Sequence, residues 1–130
     1  MRTRKWAVIL ASVFAILLVS CRSAPVYNIS DASIASDKSN LSLEDVSKAI
    51  IRAGGGLGWQ IQEDKPGHMV GTLYLRTHVA VVDINYTTKS YSITYKDSKN
   101  LDYDGTNIHT NYNGWVQNLN KAINVQLRLL

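Results

Sequence analysis

Cys21 is the only cysteine in the 130-residue sequence and carries its most nucleophilic side chain. It follows a basic start (Arg2, Arg4 and Lys5) and an uncharged, mostly apolar stretch over residues 6–19. A membrane-spanning helix needs roughly 20 apolar residues, so this stretch is too short for a permanent span and is typical of a cleaved export signal. A thiol directly after such a signal can accept a lipid-bearing group and so hold the chain on a membrane.

The residues Leu18, Val19, Ser20 and Cys21 resemble the lipobox of bacterial lipoproteins. The resemblance implies that the signal peptide is residues 1–20, that the small Ser20 admits the peptidase, and that the mature chain begins at a lipidated Cys21. Several acyl chains on one cysteine imply firm anchoring, because a single chain binds a membrane only marginally. Arg22, in place of Asp, implies sorting to the outer membrane on its periplasmic side. The alternative is an ordinary secretory signal that happens to end beside a cysteine.

The other chemistry-bearing residues form no recognisable site. His68, His78 and His109 lack the i, i+4 spacing of a helical metal site, and no second cysteine assists them. Residues 100–105 place oxygen ligands at alternate positions, but Asn111 stands where a calcium loop requires Glu. No serine lies in a Gly-x-Ser-x-Gly turn. We therefore predict no catalytic residue, metal or cofactor, and keep a hydrolase that uses His78 or His109 as a third alternative.

The charge of the mature chain is almost balanced. The full sequence has 14 Lys and Arg, 10 Asp and Glu and a net charge of +4, but three basic residues leave with the signal, so that 11 remain against 10. A nucleic-acid-binding domain would carry a basic patch, so no nucleic-acid partner is expected. Once Cys21 is acylated, no thiol remains for a disulfide.

Residues 21–41 are rich in Ser, Asp and Asn and are predicted to be the lipidated cysteine and a flexible tether, although residues 26–29 could dock as a short edge strand. Residues 42–130 are predicted to form one globular domain. Ser42 and Asp45 make an approximate capping box for a first helix, which ends at Gly54, Gly55 and Gly56.

Strand patterns follow around residues 59–62, 69–76, 79–86 and 91–95, with short connections between them. A periodicity of three to four residues over 108–127 then predicts a last helix. We therefore predict an α+β fold in the order α-β-β-β-(β)-α, in which an antiparallel meander of three to four strands carries both helices on one face. The expected core comprises Val46, Ile50, Trp59, Ile61, Leu73, Val82, Ile84, Ile93, Trp115, Leu119 and Ile123.

The second face of that sheet is the predicted site. Val70, Tyr74, Val79 and Val81 would form an exposed apolar patch with a polar rim, which is typical of an interaction surface. Its partner could be another envelope protein or a second copy of the chain. The tether could also cover the patch, or the third strand could be shifted in register by one residue.

Residues 76–84, 91–98 and 101–105 resemble those of small, uncharacterised lipoproteins of Gram-negative bacteria, as do residues 108–109, 111–113 and 115–116. The resemblance spans residues 41 to 127, implies an envelope location and brings no activity. Gly114 departs from the family, in which a long basic residue is expected. We therefore expect a membrane-anchored, non-catalytic interaction module. A periplasmic binder of a small apolar or lipid ligand, held between sheet and helices, is the alternative.

Overall fold

The computed structural model describes residues 22–130. The elements in chain order are β1 (Ser23–Pro25), β2 (Ile29–Ser33), α1 (Leu43–Gly56), β3 (Gln60–Lys65), β4 (His68–Leu75), β5 (His78–Tyr86), β6 (Ser90–Lys99), β7 (Asn107–His109) and α2 (Thr110–Arg128). The predicted signal peptide and Cys21 lie outside the described residues. Neither helix within them has the length and apolarity that crossing a membrane requires.

Helix α1 begins with the capping box that the sequence predicts. The Ser42 hydroxyl accepts a hydrogen bond from the Asp45 backbone N–H at 3.0 Å, and the Asp45 carboxylate accepts one from the Ser42 backbone N–H at 3.0 Å. Lys38 also donates to that carboxylate at 2.8 Å. The hydrogen bond from Lys38, with that from Ser42, lowers the pKa of Asp45 to about 2. The start of α1 is therefore fixed by three hydrogen bonds, two of which are accepted by the Asp45 carboxylate.

Helix α1 ends in the glycine run, as predicted, and the run has a packing role as well. Gly54 lies so close to β3 that an added Cβ would meet the side chain of Ile61. The Gly54 carbonyl accepts hydrogen bonds from the backbone N–H groups of Leu57 and Trp59. The chain thus turns directly from α1 into β3.

The larger sheet is antiparallel throughout, in the order β2-β6-β5-β4-β3. Strands β3 to β6 form the predicted meander, so the α+β prediction is confirmed. Pro66 and Gly67 connect β3 to β4, and Gly67 has a φ of +88°. Arg76 and Thr77 connect β4 to β5, and Arg76 has a φ of +56°. A second, two-stranded sheet pairs β1 with β7.

A single core lies between the larger sheet and the two helices. It receives residues from α1, from α2 and from every second position of the central strands, so both helices cover the same face. Nine of the eleven predicted core residues are buried. The other two, Ile61 and Trp115, are half-buried at the edge of the core. The predicted strand register is therefore correct.

The prediction of a flexible tether over residues 21–41 is wrong for residues 23–33. Strand β1 pairs with β7, and β2 adds a fifth strand to the edge of the sheet beside β6. Ile29 pairs with Ile93 and is buried in the core, and the Asn28 side chain accepts a hydrogen bond from the Tyr95 backbone N–H at 3.0 Å. The alternative of a docked edge strand over residues 26–29 is correct in kind, but the strand is β2 and covers Ile29–Ser33. Main-chain pairing, the buried Ile29 and hydrogen bonds with the Asn28 and Asn113 side chains hold this polar segment on the domain.

Candidate functional site

The face of the sheet opposite the helices is not covered by any element of residues 22–130. We call it the open face. It is formed by alternate residues of the central strands: Gln60 and Gln62 on β3, Val70, Thr72 and Tyr74 on β4, Val79, Val81 and Asp83 on β5, and Thr94, Asp97 and Lys99 on β6.

The four residues predicted for the interaction surface lie together on this open face, where they form what we call the apolar stripe. Tyr74 on β4 pairs with Val79 on β5. Val81, two residues after Val79, pairs with Thr72 on β4. Val70 is two residues from Thr72 on the same strand. Tyr74 is 62% exposed, whereas the three valines are half-buried by their neighbours. The stripe is therefore less exposed than the sequence indicates, and its partner-binding role stays a prediction.

The apolar stripe is bordered by polar side chains on both sides. Gln60 and Gln62 of β3 pair with β4 along one border. On the other border, Asp97 pairs with Val81 and Lys99 pairs with Val79. The register between β5 and β6 shifts at Val81 and Val82, and this bulge brings Asp97 to the open face. An apolar centre with a polar rim is the arrangement seen in protein interaction surfaces.

A charged group at one end of the open face was not predicted from the sequence. His68 Nδ1 lies 2.6 Å from the Asp64 carboxylate, and His68 Nε2 lies 2.8 Å from that of Asp83. Lys96 Nζ lies 3.5 Å from Asp83. We call Asp64, His68, Asp83 and Lys96 the histidine cluster. It joins β3, β4, β5 and β6 across the face, next to Val70.

The geometry of the histidine cluster favours a charged imidazole. Each ring nitrogen faces a carboxylate, and a neutral ring has only one N–H to donate. The hydrogen bond to Asp83 and then that to Asp64 raise the pKa of His68 above its usual value. The same contact with His68 lowers the pKa of Asp64. The imidazolium is therefore held as a cross-strand link by two carboxylates.

The three histidines make different hydrogen bonds. Both His68 nitrogens are occupied by carboxylates on opposite sides of the ring, so the ring is not free to act as a base. His78 donates from Nδ1 to the Asn100 carbonyl at 2.6 Å, and His109 Nδ1 accepts from the Asn111 backbone N–H at 3.1 Å. In the part of the chain that is described, no three His, Cys, Asp or Glu side chains converge on a possible metal position.

Two cavities beside the helices are smaller than a usual ligand pocket. One of about 190 Å³ lies next to Leu43, Ser47 and Glu63. The other, of about 70 Å³, is lined by Leu57, Trp59, Leu73, Trp115 and Asn118. Ligand pockets are commonly about 300–1,000 Å³, so this cavity holds no lipid-sized molecule. A shallow hollow of about 430 Å³ lies at the other end of the domain, where Ala35, Ser36, Asp37 and Arg128 line it. Its few walls would bury little of a ligand.

Sequence reasoning missed the histidine cluster because its members are scattered along the chain. One signal was present: a two-residue turn at Arg76 and Thr77 pairs His68 with Asn85 and Val70 with Asp83. His68 and Asp83 are then diagonal neighbours on one face, within reach of long side chains.

No protein-family model, curated protein or solved structure matches this chain.

Proposed function

We propose that this protein is a lipoprotein of the Gram-negative cell envelope, anchored through Cys21 in the outer membrane on its periplasmic side. In this proposal it is not an enzyme and acts by binding another envelope protein. The carrying observation is the apolar stripe (Val70, Tyr74, Val79 and Val81) on a sheet face that no helix or strand of residues 22–130 covers.

The size of the open face indicates the kind of interaction it can support. Four strands spaced about 4.8 Å apart, with about seven residues each at about 3.3 Å, present roughly 400 Å². Stable complexes bury about 800 Å² on each partner, so the face alone suits a weak or transient contact. The charged border formed by Asp97, Lys99 and the histidine cluster supports orientation of a partner, since rim charges act mainly on specificity and on-rate.

The two alternatives have less support. A lipid or small apolar ligand needs an enclosed volume, and the apolar cavity beside Trp115 is only about 70 Å³. A hydrolase would need a nucleophile beside a base, whereas within residues 22–130 no hydroxyl group is hydrogen-bonded to His78 or His109, whose rings bond to the backbone through Nδ1. Neither alternative is therefore carried forward as a second function.

Photo-crosslinking in the living envelope tests the proposal directly. Photoreactive residues replace Tyr74 and Val81 on the open face, and Lys121 on the exposed side of α2 is the control position. We expect a discrete adduct from the two open-face positions and none from Lys121. An adduct with twice the chain's mass would identify a second copy as the occupant. A folded protein with no adduct at Tyr74 or Val81 would contradict a protein partner.

Matched charge variants separate lost binding from lost stability. Val81 pairs with Asp97, so Val81→Glu adds repulsion within the sheet, whereas Val81→Lys does not. Both variants should remove the adduct formed from Tyr74, because each places a charge in the apolar stripe. Lys121→Glu should leave the adduct unchanged. If Val81→Lys unfolds the domain, the residue belongs to the core and the surface interpretation is wrong.

The membrane anchor is tested separately at Cys21. Mass spectrometry of the mature amino terminus should find a diacylglyceryl and acyl modification on Cys21. Cys21→Ser should abolish it and release the chain from the membrane fraction. An unmodified Cys21 in a membrane-free protein would contradict the lipoprotein assignment and leave the open face to be judged by crosslinking alone.

A further inference from the structure

Strand β1 ties the first described residues to the body of the domain. Ser23 pairs with His109, and Pro25 pairs with Asn107. Just before the strand, the Arg22 carbonyl accepts a hydrogen bond from the Thr110 backbone N–H at 2.8 Å. Backbone hydrogen bonds therefore tie the chain to the domain from Arg22 onward, one residue after the cysteine whose lipidation we propose.

The distance between a lipid anchor and this domain is consequently very short. Two residues span at most about 7 Å, so Cys21 cannot be farther than that from Ser23. A flexible tether of twenty residues would instead have a root-mean-square length of about 25 Å. The headgroup layer of a bilayer is itself about 5–7 Å thick. A domain attached in this way has one end at the membrane surface.

The contacts of β1 identify that end. The His109 backbone N–H donates to the Leu101 carbonyl at 2.9 Å. Asn100, which precedes Leu101, is hydrogen-bonded to two residues of the β4–β5 hairpin. The Asn100 side chain donates to Thr77 at 2.7 Å, and the Asn100 carbonyl accepts from His78. The beginning of β1 and the tip of the β4–β5 hairpin therefore lie at the same end of the sheet. The β5–β6 turn around Thr88 and the end of α2 at Arg128 lie at the other end.

The same end carries apolar and basic side chains that suit a lipid surface. Leu57 and Leu75 are each 43% exposed. Trp115 is half-buried and lines a small cavity together with Leu57, and its ring centroid lies 6.2 Å from that of His78. Arg22, Arg76 and Lys99 are exposed there, and none of them forms an ion pair within residues 22–130. We call these six residues the anchor end. Interfacial Trp and Leu, with basic residues near anionic headgroups, are the composition of membrane-contacting surfaces.

We propose that the anchor end rests on the lipid bilayer, with Leu57, Leu75 and Arg76 among the headgroups. This inference rests on the proposed lipidation of Cys21 and adds the orientation of the domain. The strands of the larger sheet then run away from the membrane, and the open face stands upright beside it. The exposed Asp102 and Asp104 also lie near this end, and the Asp104 carboxylate accepts hydrogen bonds from the Thr106 and Asn107 backbone N–H groups of its own turn.

Two hairpin positions give a matched pair for a depth measurement. The lipidated chain has no free thiol, so Thr77→Cys and Thr88→Cys each provide a single site for an environment-sensitive fluorophore. The mature lipidated protein is reconstituted into vesicles of phosphatidylethanolamine with a minority of phosphatidylglycerol. We expect the label at residue 77 to show a several-fold fall in quenching by aqueous iodide, relative to the protein in detergent. The label at residue 88 should be quenched equally in both states.

Charge reversal at the two ends makes the test specific. Leu75→Glu with Arg76→Glu should restore iodide quenching at residue 77 without removing the lipid. The control is Leu129→Glu with Arg128→Glu at the far end, where Leu129 is 72% exposed, and it should have no effect. Equal quenching at residues 77 and 88 in vesicle-bound, lipidated protein would overturn the orientation and leave the anchor intact. Protein that carries no lipid and does not sediment with vesicles would overturn both the anchor and this inference.

Discussion

Replacing His68 by Gln should destabilise the protein in a pH-dependent way. Gln is neutral at all pH values and cannot hold two carboxylates with charge-assisted hydrogen bonds. The contact with Asp83 is the more sheltered of the two, because the side chains of His68 and Asp83 are only 15% and 24% exposed. Charge-assisted bonds contribute about 1.5–3 kcal/mol when buried and exposed pairs about 0.2–1 kcal/mol. For this half-sheltered pair we expect His68→Gln to cost about 1 kcal/mol of unfolding free energy.

The direction of the pH dependence follows from the raised pKa of His68. A folded-state pKa above the unfolded value of 6.5 means that the folded protein binds the proton more tightly. The stabilisation is therefore fully present below pH 6.5 and is lost as the pH rises through the folded-state pKa. The stability difference between the wild type and His68→Gln should shrink over that range.

Urea unfolding followed by tryptophan fluorescence, on purified protein in detergent, measures this difference at each pH. Asp83→Asn is the companion variant, because it removes the partner that raises the pKa of His68 most. In the Asp83→Asn background, His68→Gln should lower the free energy of unfolding by less than in the wild type, and this loss should depend less on pH. A difference that stays constant with pH, or that grows as the pH rises, would refute the charged-imidazole interpretation.

Three further predictions concern the fold. Ile29→Ala should cost about 2–4 kcal/mol, as for other buried Ile residues, and should make residues 23–33 sensitive to limited proteolysis; resistance with unchanged stability would contradict the docking of β2. Gly67→Ala should cost about 1–2 kcal/mol in thermal unfolding, since Gly67 has a φ of +88° and an added Cβ would lie 3.3 Å from the Tyr86 carbonyl oxygen. Arg76→Gly should have the opposite sign and stabilise the hairpin by up to about 1 kcal/mol, because Arg76 has a φ of +56°; a lower melting temperature would show that the arginine side chain makes a compensating contact.

The central strands were predictable because the alternation of apolar and polar residues indicates which side chains are buried. In β5, Val82, Ile84 and Tyr86 are buried while Asp83 and Asn85 are not, and this alternation is visible in the sequence. The two-residue turn at Arg76 and Thr77 then fixes the register with β4. The open face and its apolar stripe follow from these two local signals.

The parts that were missed depend on contacts between distant segments. Strand β2 is held by main-chain pairing with β6, which leaves little trace in side-chain composition because Ser30, Asp31 and Ser33 are exposed at the sheet edge. The position of Asp97 depends on a bulge that local patterning does not specify. The histidine cluster requires four strands in register before its four members meet.

The two proposals together restrict what can reach the open face. Strand β5 has nine residues, which span about 30 Å at about 3.3 Å per residue. If its Val79 end stands at the bilayer, the apolar stripe begins near the headgroups and extends upward, with the histidine cluster at the distal side. A partner anchored in the same membrane approaches this upright face from the side and can contact it directly. A partner from the opposite side of the periplasm would first meet the β3–β4 turn and the β5–β6 turn. The geometry therefore favours a neighbour in the same membrane, and crosslinks from Tyr74, nearest the bilayer, should be at least as strong as those from Val81.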